Sequence, residues 1–261
     1  MDIKTITTYI DTVVEASYLA GKAILAIYNS EDLGIETKGD DSPLTKADLA
    51  SNDILCNALI KFKEKIPIIS EENKQLEYSD RKNWEYCWIV DPLDGTKEFV
   101  KKNGEFTTNV ALVKGDTTIA GVVYAPVLEE MYFAIKGKGA FLIKNGKKTK
   151  LKANAYRPSD EGLKIVCSRS HLNEETQNFV DNYTNPELIA KGSSLKFLSI
   201  ANGEADIYPR LAPTMEWDTC AAQIILEEAG GSVYRADNKS PMIYNKENLL
   251  NPFFVATGNE L

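Results

Sequence analysis

The spacing of apolar residues changes its period near Trp88, and this change predicts the order of elements along the chain. Before it, residues 3–28 and 46–65 carry apolar side chains at alternating intervals of four and three, which predicts two amphipathic helices. After it, residues 106–148 contain short β-rich segments separated by turns. The first half therefore predicts two helices packed on a largely antiparallel sheet.

The second half of the chain shows a different pattern. Between residues 163 and 236, segments typical of strands alternate with segments typical of helices, which indicates α/β architecture. We therefore expect an α/β fold class, in the mixed α+β sense. We also expect two subdomains, residues 1–156 and 157–261, with the active site in the cleft between them.

Charge and hydropathy exclude several classes of function. The formal net charge of −8 argues against a general nucleic-acid surface, which needs a basic patch. The longest apolar runs are too short to cross a bilayer, and the N-terminus does not resemble a secretion signal. We expect no nucleic-acid partner, no transmembrane segment and a cytoplasmic location. A peripheral membrane association is left open, although no basic amphipathic helix supports it.

The scarcity of soft ligands limits the metals that the chain can bind. The sequence has one histidine and four scattered cysteines without a CxxC pair, which argues against a zinc site and predicts free, mostly buried thiols. A bound metal must then be held by oxygen atoms, which points to magnesium, manganese or calcium.

Acidic residues stand at the ends of the predicted elements. They are Glu71-Glu72 after a short strand, Asp91 and Asp94 after the apolar residues 88–90, Asp218 near a helix start, and Asp48 at the start of the second helix. Each has a structural explanation on its own. Thr45 and Asp48 match a capping box, and the other acids suit turns or the positive end of a helix. Together they follow apolar segments that are expected to converge, which predicts a cation site.

The charge of this acidic set suits several divalent ions. About four negative charges would come from Glu71, Asp91, Asp94 and Asp218. Two divalent ions would balance them, and a third would leave the site positive and ready for a phosphate dianion. The carbonyl of Leu93 could add a ligand, and two ions about 3.5–4 Å apart suit in-line displacement at phosphorus. The N–H groups of Gly95 and Thr96 could hold phosphate oxygens if a helix begins there.

Several motifs together resemble a known family. DPLDGTKEF, the preceding SEE, and WDTCAA near the end resemble the lithium-sensitive, magnesium-dependent phosphatases that include inositol monophosphatase and fructose bisphosphatase. DSPLTKAD, SRSH, GSSLKF and YPR follow the family's order, so the resemblance covers nearly the whole chain. The KEF ending and GSSLKF are closest to the CysQ-type 3′(2′),5′-bisphosphate nucleotidases, whereas inositol monophosphatases typically read DGTTNF.

The resemblance implies a fold, a reaction and a cofactor. The fold would be a layered αβαβα sandwich like that of inositol monophosphatase. The reaction would be hydrolysis of the 3′-phosphate of 3′-phosphoadenosine 5′-phosphate to AMP and phosphate, with 3′-phosphoadenylyl sulfate as a further substrate. Two or three Mg2+ ions per site would serve as cofactor, and the protein would be a monomer or a homodimer.

The resemblance also implies roles for residues at matching positions. The metal ligands would be Glu71, Asp91, the Leu93 carbonyl, Asp94 and Asp218. The catalytic set would be Asp48 and Thr96, which orient and activate water, together with Glu71. The contacts to substrate would be Gly95, Thr96, Lys46, His171, Ser193, Lys196, Arg210 and Asp218. Of these residues, Lys196 and Arg210 are the expected partners of the 5′-phosphate.

Two other interpretations remain open. An inositol monophosphatase, or another phosphatase of small phosphate esters, would share the metal site. It would not need the basic set at Ser193, Lys196 and Arg210. A nucleotide- or metal-sensing module without turnover would not need the water-activating pair Asp48 and Thr96.

Overall fold

The computed structural model describes residues 1–37, 39, 43–168 and 173–261, and it arranges them in five layers in the order αβαβα. A seven-stranded sheet lies between two pairs of helices. A five-stranded sheet covers the far side of the second pair, and a short helix packs on its outer face. This arrangement confirms the predicted α/β fold class.

The helices and strands are numbered in chain order. The helices span Ile3–Tyr28 (α1), Lys46–Leu59 (α2), Tyr78–Arg81 (α3), Thr96–Val100 (α4), Glu174–Val180 (α5), Leu195–Ala201 (α6) and Glu216–Glu228 (α7). The strands span Glu36–Thr37 (β1), Pro43–Leu44 (β2), Ile68–Ser70 (β3), Tyr86–Asp94 (β4), Thr107–Lys114 (β5), Thr117–Ala125 (β6), Glu130–Ile135 (β7), Gly139–Lys144 (β8), Lys147–Lys150 (β9), Ala155–Tyr156 (β10), Lys164–Ser168 (β11), Glu187–Lys191 (β12), Ile207–Arg210 (β13), Ser232–Arg235 (β14), Phe254–Thr257 (β15) and Asn259–Glu260 (β16).

The larger sheet is the antiparallel sheet that the first half of the sequence predicts. Its order is β3-β4-β5-β6-β7-β8-β9, and only the β3–β4 pair is parallel. The last hairpin turns at Asn145 and Gly146, whose φ angles of 51° and 71° are those of a two-residue hairpin turn. The smaller sheet has the order β12-β11-β13-β15-β14 and mixes parallel and antiparallel pairs, as the alternating second half predicts.

Helices α1 and α2 cover the outer face of the larger sheet. Ile10 and Val13 of α1 are buried against Val90 and Val110 of the sheet, and each such buried side chain contributes about 1.5–3 kcal/mol. Asp2 begins α1 by accepting the backbone N–H of Thr5 at 2.8 Å.

The prediction that the second helix extends to residue 65 is wrong. Helix α2 ends at Leu59, and the chain turns through Lys65, whose φ of 50° is left-handed. The Lys65 ammonium donates to the carbonyl of Ile60 at 2.8 Å and so satisfies one carbonyl beyond the helix end. Phe62 still reaches the core through this turn and stacks on Tyr9, with 3.9 Å between ring centres.

Helix α7 packs closely on the inner face of the same sheet. A Cβ atom on Gly121 of β6 would lie 2.6 Å from the carbonyl oxygen of Ala221, so only glycine permits this approach. On the far side, Phe197 of α6 stacks on Phe254 of β15 with 5.4 Å between ring centres. Helices α6 and α7 therefore share one core with both sheets.

The division at residues 156 and 157 stays a prediction. The strands of the larger sheet come before residue 151 and those of the smaller sheet after residue 163, but the core between them is continuous. All four cysteines are free, and three are buried. Within the described part of the chain, no helix has the length and apolar character needed to cross a membrane.

Candidate active site

A bulge at the end of β4 brings two acids to one side of the strand. Asp91 pairs with Asn109 of β5 and Asp94 pairs with Thr107, so Pro92 and Leu93 lie opposite a single residue. Side chains three apart on a regular strand point to opposite faces, and the extra residue of a bulge changes this alternation. The local geometry therefore lets both carboxylates face the same space.

Three acids from two elements converge in this space. Carboxylate oxygens of Asp91, Asp94 and Asp218 lie within 4.8 Å of one another. Asp218 comes from the first turn of α7, where its Oδ2 accepts the backbone N–H of Met215 at 2.8 Å. Burial, and next the charge of Asp94, raises the pKa of Asp218 to about 8.

Asp91 is the most deeply buried of the three, with 1% of its surface exposed. Its Oδ1 accepts the backbone N–H of Leu93 at 3.0 Å. Its Oδ2 is buried and has no hydrogen-bond partner among the described residues. Burial raises the pKa of Asp91 well above the usual range, and the charges of Glu71 and Asp94 raise it further. A buried carboxylate without a partner is unfavourable unless it binds a proton or a cation, and a metal ion would supply the partner that Oδ2 lacks.

The acids line one cavity of about 350 Å³. All five predicted metal ligands border it, namely Glu71, Asp91, Leu93, Asp94 and Asp218. The donor atoms that these residues offer are oxygens, which suits a hard divalent cation such as Mg2+. The unpaired oxygen of Asp91 and the crowding of the carboxylates are therefore consistent with a metal site.

Asp48 and Thr96 are joined by a hydrogen bond beside this cavity. The hydroxyl of Thr96 donates to Asp48 Oδ1 at 3.2 Å and also lies 3.3 Å from the carbonyl oxygen of Leu93. The other oxygen of Asp48 accepts the N–H and the hydroxyl of Thr45, at 2.8 and 2.5 Å, which completes the capping box of α2. Asp48 is 2% exposed, so the cap holds its carboxylate rigidly beneath Thr96. The capping box and a catalytic role are thus compatible.

A second cavity, of about 200 Å³, adjoins the acidic one, and both basic and acidic residues border it. Both cavities share Asp94, Gly95, Lys97, Glu98 and Asp218. The second also reaches Lys196 and Arg210, and for these two residues it is called the basic cavity. The two cavities therefore place acidic and basic surfaces side by side.

Lys196 is held at the wall of the second cavity. Its ammonium donates to the carbonyl of Ser193 at 2.7 Å and lies 5.4 Å from the ring centre of Tyr208. Burial lowers the pKa of Lys196 to about 8, although the charge of Asp94 opposes this shift. Arg210 Nη2 donates to the carbonyl of Pro213 at 2.8 Å.

Two further polar atoms at this cavity are unsatisfied. Ser193 Oγ and Arg210 Nε are buried and have no hydrogen-bond partner in the part of the chain that the structure describes. Both residues line the second cavity, so an anion bound there would meet a hydroxyl, a guanidinium and an ammonium group.

One of the predicted substrate contacts, Lys46, is not brought into these cavities, and another, His171, cannot be placed. Lys46 is exposed, pairs with Asp32 at 2.6 Å and borders neither cavity. It lies two residues before Asp48 on α2, and residues two apart on a helix do not face each other. His171 lies outside the described residues. The roles of both residues stay predictions.

Sequence reasoning missed other residues that border or support the cavities. Tyr208 lies two residues before Arg210 on β13, so the period of a strand could have placed both on one face. Glu105 accepts the N–H of Gly192, and the N–H of Ser194 donates to Asp94, so both contacts hold the turn that carries Ser193. Nothing in the local sequence of Glu105 or Ser194 indicates contacts that distant.

Comparisons with known proteins agree with this geometry. The model of the inositol monophosphatase family matches residues 6–258. The chain is 38% identical to the 3′(2′),5′-bisphosphate nucleotidase CysQ of Salmonella typhimurium, over 95% of this chain and 99% of that protein. It is 38% identical to CysQ of Escherichia coli strain K12, over 94% of this chain and 98% of that protein.

Solved structures show the same fold. The crystal structure of CysQ from Bacteroides thetaiotaomicron has a TM-score of 0.84 and 39% identity, and the match covers 98% of both chains. An inositol monophosphatase from Anabaena (Nostoc) sp. PCC 7120 has a TM-score of 0.74 and 23% identity, over 98% of this chain and 92% of that chain, which shows the fold alone. The resemblance seen in the sequence motifs is confirmed: this chain belongs to the inositol monophosphatase family.

Proposed function

We propose that this protein is a magnesium-dependent phosphatase that hydrolyses the 3′-phosphate of 3′-phosphoadenosine 5′-phosphate, giving AMP and phosphate. 3′-Phosphoadenylyl sulfate would be a further substrate. One observation carries the proposal: the acidic cavity adjoins the cavity that reaches Lys196 and Arg210, and five residues border both, namely Asp94, Gly95, Lys97, Glu98 and Asp218. A nucleotide with two phosphates needs two anion sites, and the CysQ relatives are named for that substrate class.

The residues of the acidic cavity fit a magnesium cluster. The proposed ligands are Glu71, Asp91, the Leu93 carbonyl, Asp94 and Asp218. When bound, two or three Mg2+ ions would neutralise these acids, polarise the phosphoryl group and lower the pKa of water. The chain's own contribution is to hold the oxygens in place, through the β4 bulge for Asp91 and Asp94 and the α7 cap for Asp218.

Thr96 and Asp48 would accept the proton of the attacking water. Because the Thr96 hydroxyl donates to Asp48, the lone pairs of its oxygen are left to accept a hydrogen bond from water in the cavity. As the water oxygen bonds to phosphorus, its proton passes to Thr96 and the Thr96 proton passes to Asp48. The bond between phosphorus and the 3′ oxygen breaks, and that oxygen takes up a proton from solvent to give the 3′ hydroxyl of AMP. The two hydrogen bonds from Thr45 keep Asp48 oriented during this transfer.

The basic cavity would hold the 5′-phosphate. Arg210 Nε and Ser193 Oγ lack partners and can donate to phosphate oxygens, while Lys196 supplies a second positive charge. The ring of Tyr208 lies near the Lys196 ammonium and restricts its position. These contacts favour a bisphosphate over an ester with a single phosphate.

Phosphate release would test the proposal. We expect magnesium-dependent release from 3′-phosphoadenosine 5′-phosphate, with lower kcat/KM for 3′-AMP and for inositol 1-phosphate, and none with a chelator. For variants that replace an acid of the cavity, such as Asp91→Asn, the control for a loss of charge alone is Asp53→Asn, because Asp53 is an exposed acid on α2. Preference for the inositol ester would contradict the proposed substrate, and phosphate release that does not depend on metal would contradict the proposed mechanism. Binding of the nucleotide without turnover would favour a sensing module.

A further inference from the structure

The turn at residues 192–194 has an unfavourable backbone conformation that its surroundings stabilise. Ser193 has a φ of 44°, in the left-handed region, where a residue with a side chain loses about 1–2 kcal/mol. Ser193 lies between two anchored N–H groups. The N–H of Gly192 donates to Glu105 Oε2 at 2.8 Å, and the N–H of Ser194 donates to Asp94 Oδ2 at 2.5 Å. Two carboxylates of the first half of the chain thus hold this turn from both sides.

This turn determines how the basic cavity presents its donors. The carbonyl of Ser193 fixes the Lys196 ammonium at 2.7 Å, and Ser193 Oγ is one of the unsatisfied atoms of the cavity. If Ser193 relaxed to an ordinary backbone conformation, its carbonyl and its hydroxyl would both move. The position of the turn is therefore part of the proposed 5′-phosphate site.

The backbone of Glu105 is held in place and lies in contact with the turn. The N–H of Glu105 donates to Asn103 Oδ1 at 3.0 Å, and the next residue, Phe106, is fully buried. The backbone of Glu105 is therefore fixed. The turn lies directly on it, because a Cβ atom on Gly192 would approach the Glu105 carbonyl oxygen to 3.0 Å. A Cβ atom on Gly95 would approach the same oxygen to 2.9 Å.

The two anchors differ in one respect that separates their effects. Asp94 belongs to the acidic cluster, so any change there alters the proposed metal site. Glu105 borders neither the acidic nor the basic cavity. A change of the Glu105 side chain therefore removes one anchor of the turn, while the bond from Ser194 to Asp94 and every metal ligand proposed above stay in the sequence.

We propose that Glu105 is a positioning residue that sets the preference for bisphosphates over monophosphates, by holding the 192–194 turn in the conformation that the second phosphate requires. The inference rests on the proposed function, because it assumes that the basic cavity receives that phosphate. Glu105 does not act on the reacting atoms. Its removal should weaken binding of the second phosphate and leave the chemical step unchanged.

The test compares two substrates across a series of variants. With 3′-phosphoadenosine 5′-phosphate, Glu105→Ala should raise KM about tenfold, the loss expected for one hydrogen bond to a charged group, with kcat unchanged. With 3′-AMP, which lacks the second phosphate, kcat/KM should not change. Glu105→Gln keeps an acceptor oxygen at the same reach and should restore most of the preference. Glu105→Asp keeps the charge but is one methylene too short, and should not.

The outcomes separate the inference from the proposed function. If the wild-type protein does not prefer the bisphosphate to 3′-AMP, the proposed function fails and the inference fails with it. If the wild type shows the preference and Glu105→Ala keeps it, only the role of Glu105 is overturned. An equal loss on both substrates would also overturn it, because a general structural defect does not discriminate. Should Glu105→Ala not fold, the contrast between the Gln and Asp variants decides. Glu64→Ala, an exposed acid, is the control.

Discussion

The carboxylate of Asp94 accepts the backbone N–H of Ser194, 100 residues further along the chain, at 2.5 Å. The hydroxyl of Ser194 in turn donates to Asn109 Oδ1 at 2.9 Å and lies 2.7 Å from the hydroxyl of Thr107. This buried group connects the acidic cluster to the turn of the basic cavity. The two proposed anion sites are therefore coupled through Asp94.

Asn109→Leu should disrupt this connection. The change keeps a similar volume but removes the oxygen that accepts from Ser194 and Thr107, so buried hydroxyls lose an acceptor. We expect the free energy of unfolding to fall by about 1–3 kcal/mol and kcat to fall as well. Urea denaturation and kcat at saturating magnesium would measure both. Asn178→Leu, on the exposed side of α5, is the control, and an Asn109 variant as stable as this control would contradict the prediction.

Asp91→Asn should separate metal binding from stability. Without divalent cations, the variant should be more stable than the wild type, because a buried carboxylate crowded by Asp94 and Glu71 becomes neutral. Magnesium should raise the melting temperature of the wild type but not of the variant. Phosphate release should fall by about 10²–10³-fold, the range for loss of one electrostatic stabiliser. An equal magnesium-dependent rise in both proteins would exclude Asp91 as a ligand.

The stability of the protein in chelator should decrease as pH rises. Burial raises the pKa of Asp94 to about 6 and that of Asp218 to about 8 from an ordinary value of 3.8. The stability that such groups contribute is complete below the unfolded pKa and is lost as pH rises through the folded values. Unfolding free energies between about pH 4 and about pH 8 should therefore fall more steeply for the wild type than for Asp218→Asn. Magnesium should remove this difference, and identical slopes in chelator would contradict the assignment.

Lys196 should give the bisphosphate reaction an alkaline limit. Burial lowers the pKa of Lys196 to about 8, so its ammonium loses its proton as pH rises through that value. The kcat/KM for 3′-phosphoadenosine 5′-phosphate should therefore fall above about pH 8, because kcat/KM reports the free enzyme. The kcat/KM for 3′-AMP serves as the internal control and should not share this limit. Lys196→Arg keeps its charge and should move the limit to higher pH, and an unchanged profile would exclude Lys196.

Glu216 should be essential for the placement of α7. Its fully buried carboxylate accepts the N–H of Asn245 at 2.6 Å, the N–H of Lys246 at 3.0 Å and the Lys246 ammonium. Glu216→Leu would leave these donors unpaired, and we expect a loss of about 3–5 kcal/mol in the free energy of unfolding. Lys246→Met should cost less, since the two backbone N–H groups still satisfy the carboxylate. Chemical denaturation of both variants would measure the two losses in free energy of unfolding. A larger loss for Lys246→Met would show that the ammonium contributes more than the two backbone N–H groups.

Much of the fold was predictable because it depends on local patterns. The four-and-three spacing in residues 3–28 is a property of neighbouring residues, and it matches the buried face of α1. The boundary of the second helix was not predictable in this way. The apolar spacing continues to Phe62, but the chain reaches the core there through a turn that only packing selects.

The sequence alone determined the chemistry that is available: acids at the ends of apolar segments, an Asp48 cap, a basic GSSLKF segment, and motifs specific to one family. These follow from residue identity and adjacency. The tertiary structure decided which of those groups meet. It placed Asp218 beside Asp91, joined Asp94 to Ser194, and turned Lys46 toward Asp32 instead of the cavities. The reason is physical: contacts between residues far apart in the chain depend on how layers pack and where a strand bulges. Neither property is encoded in any single segment.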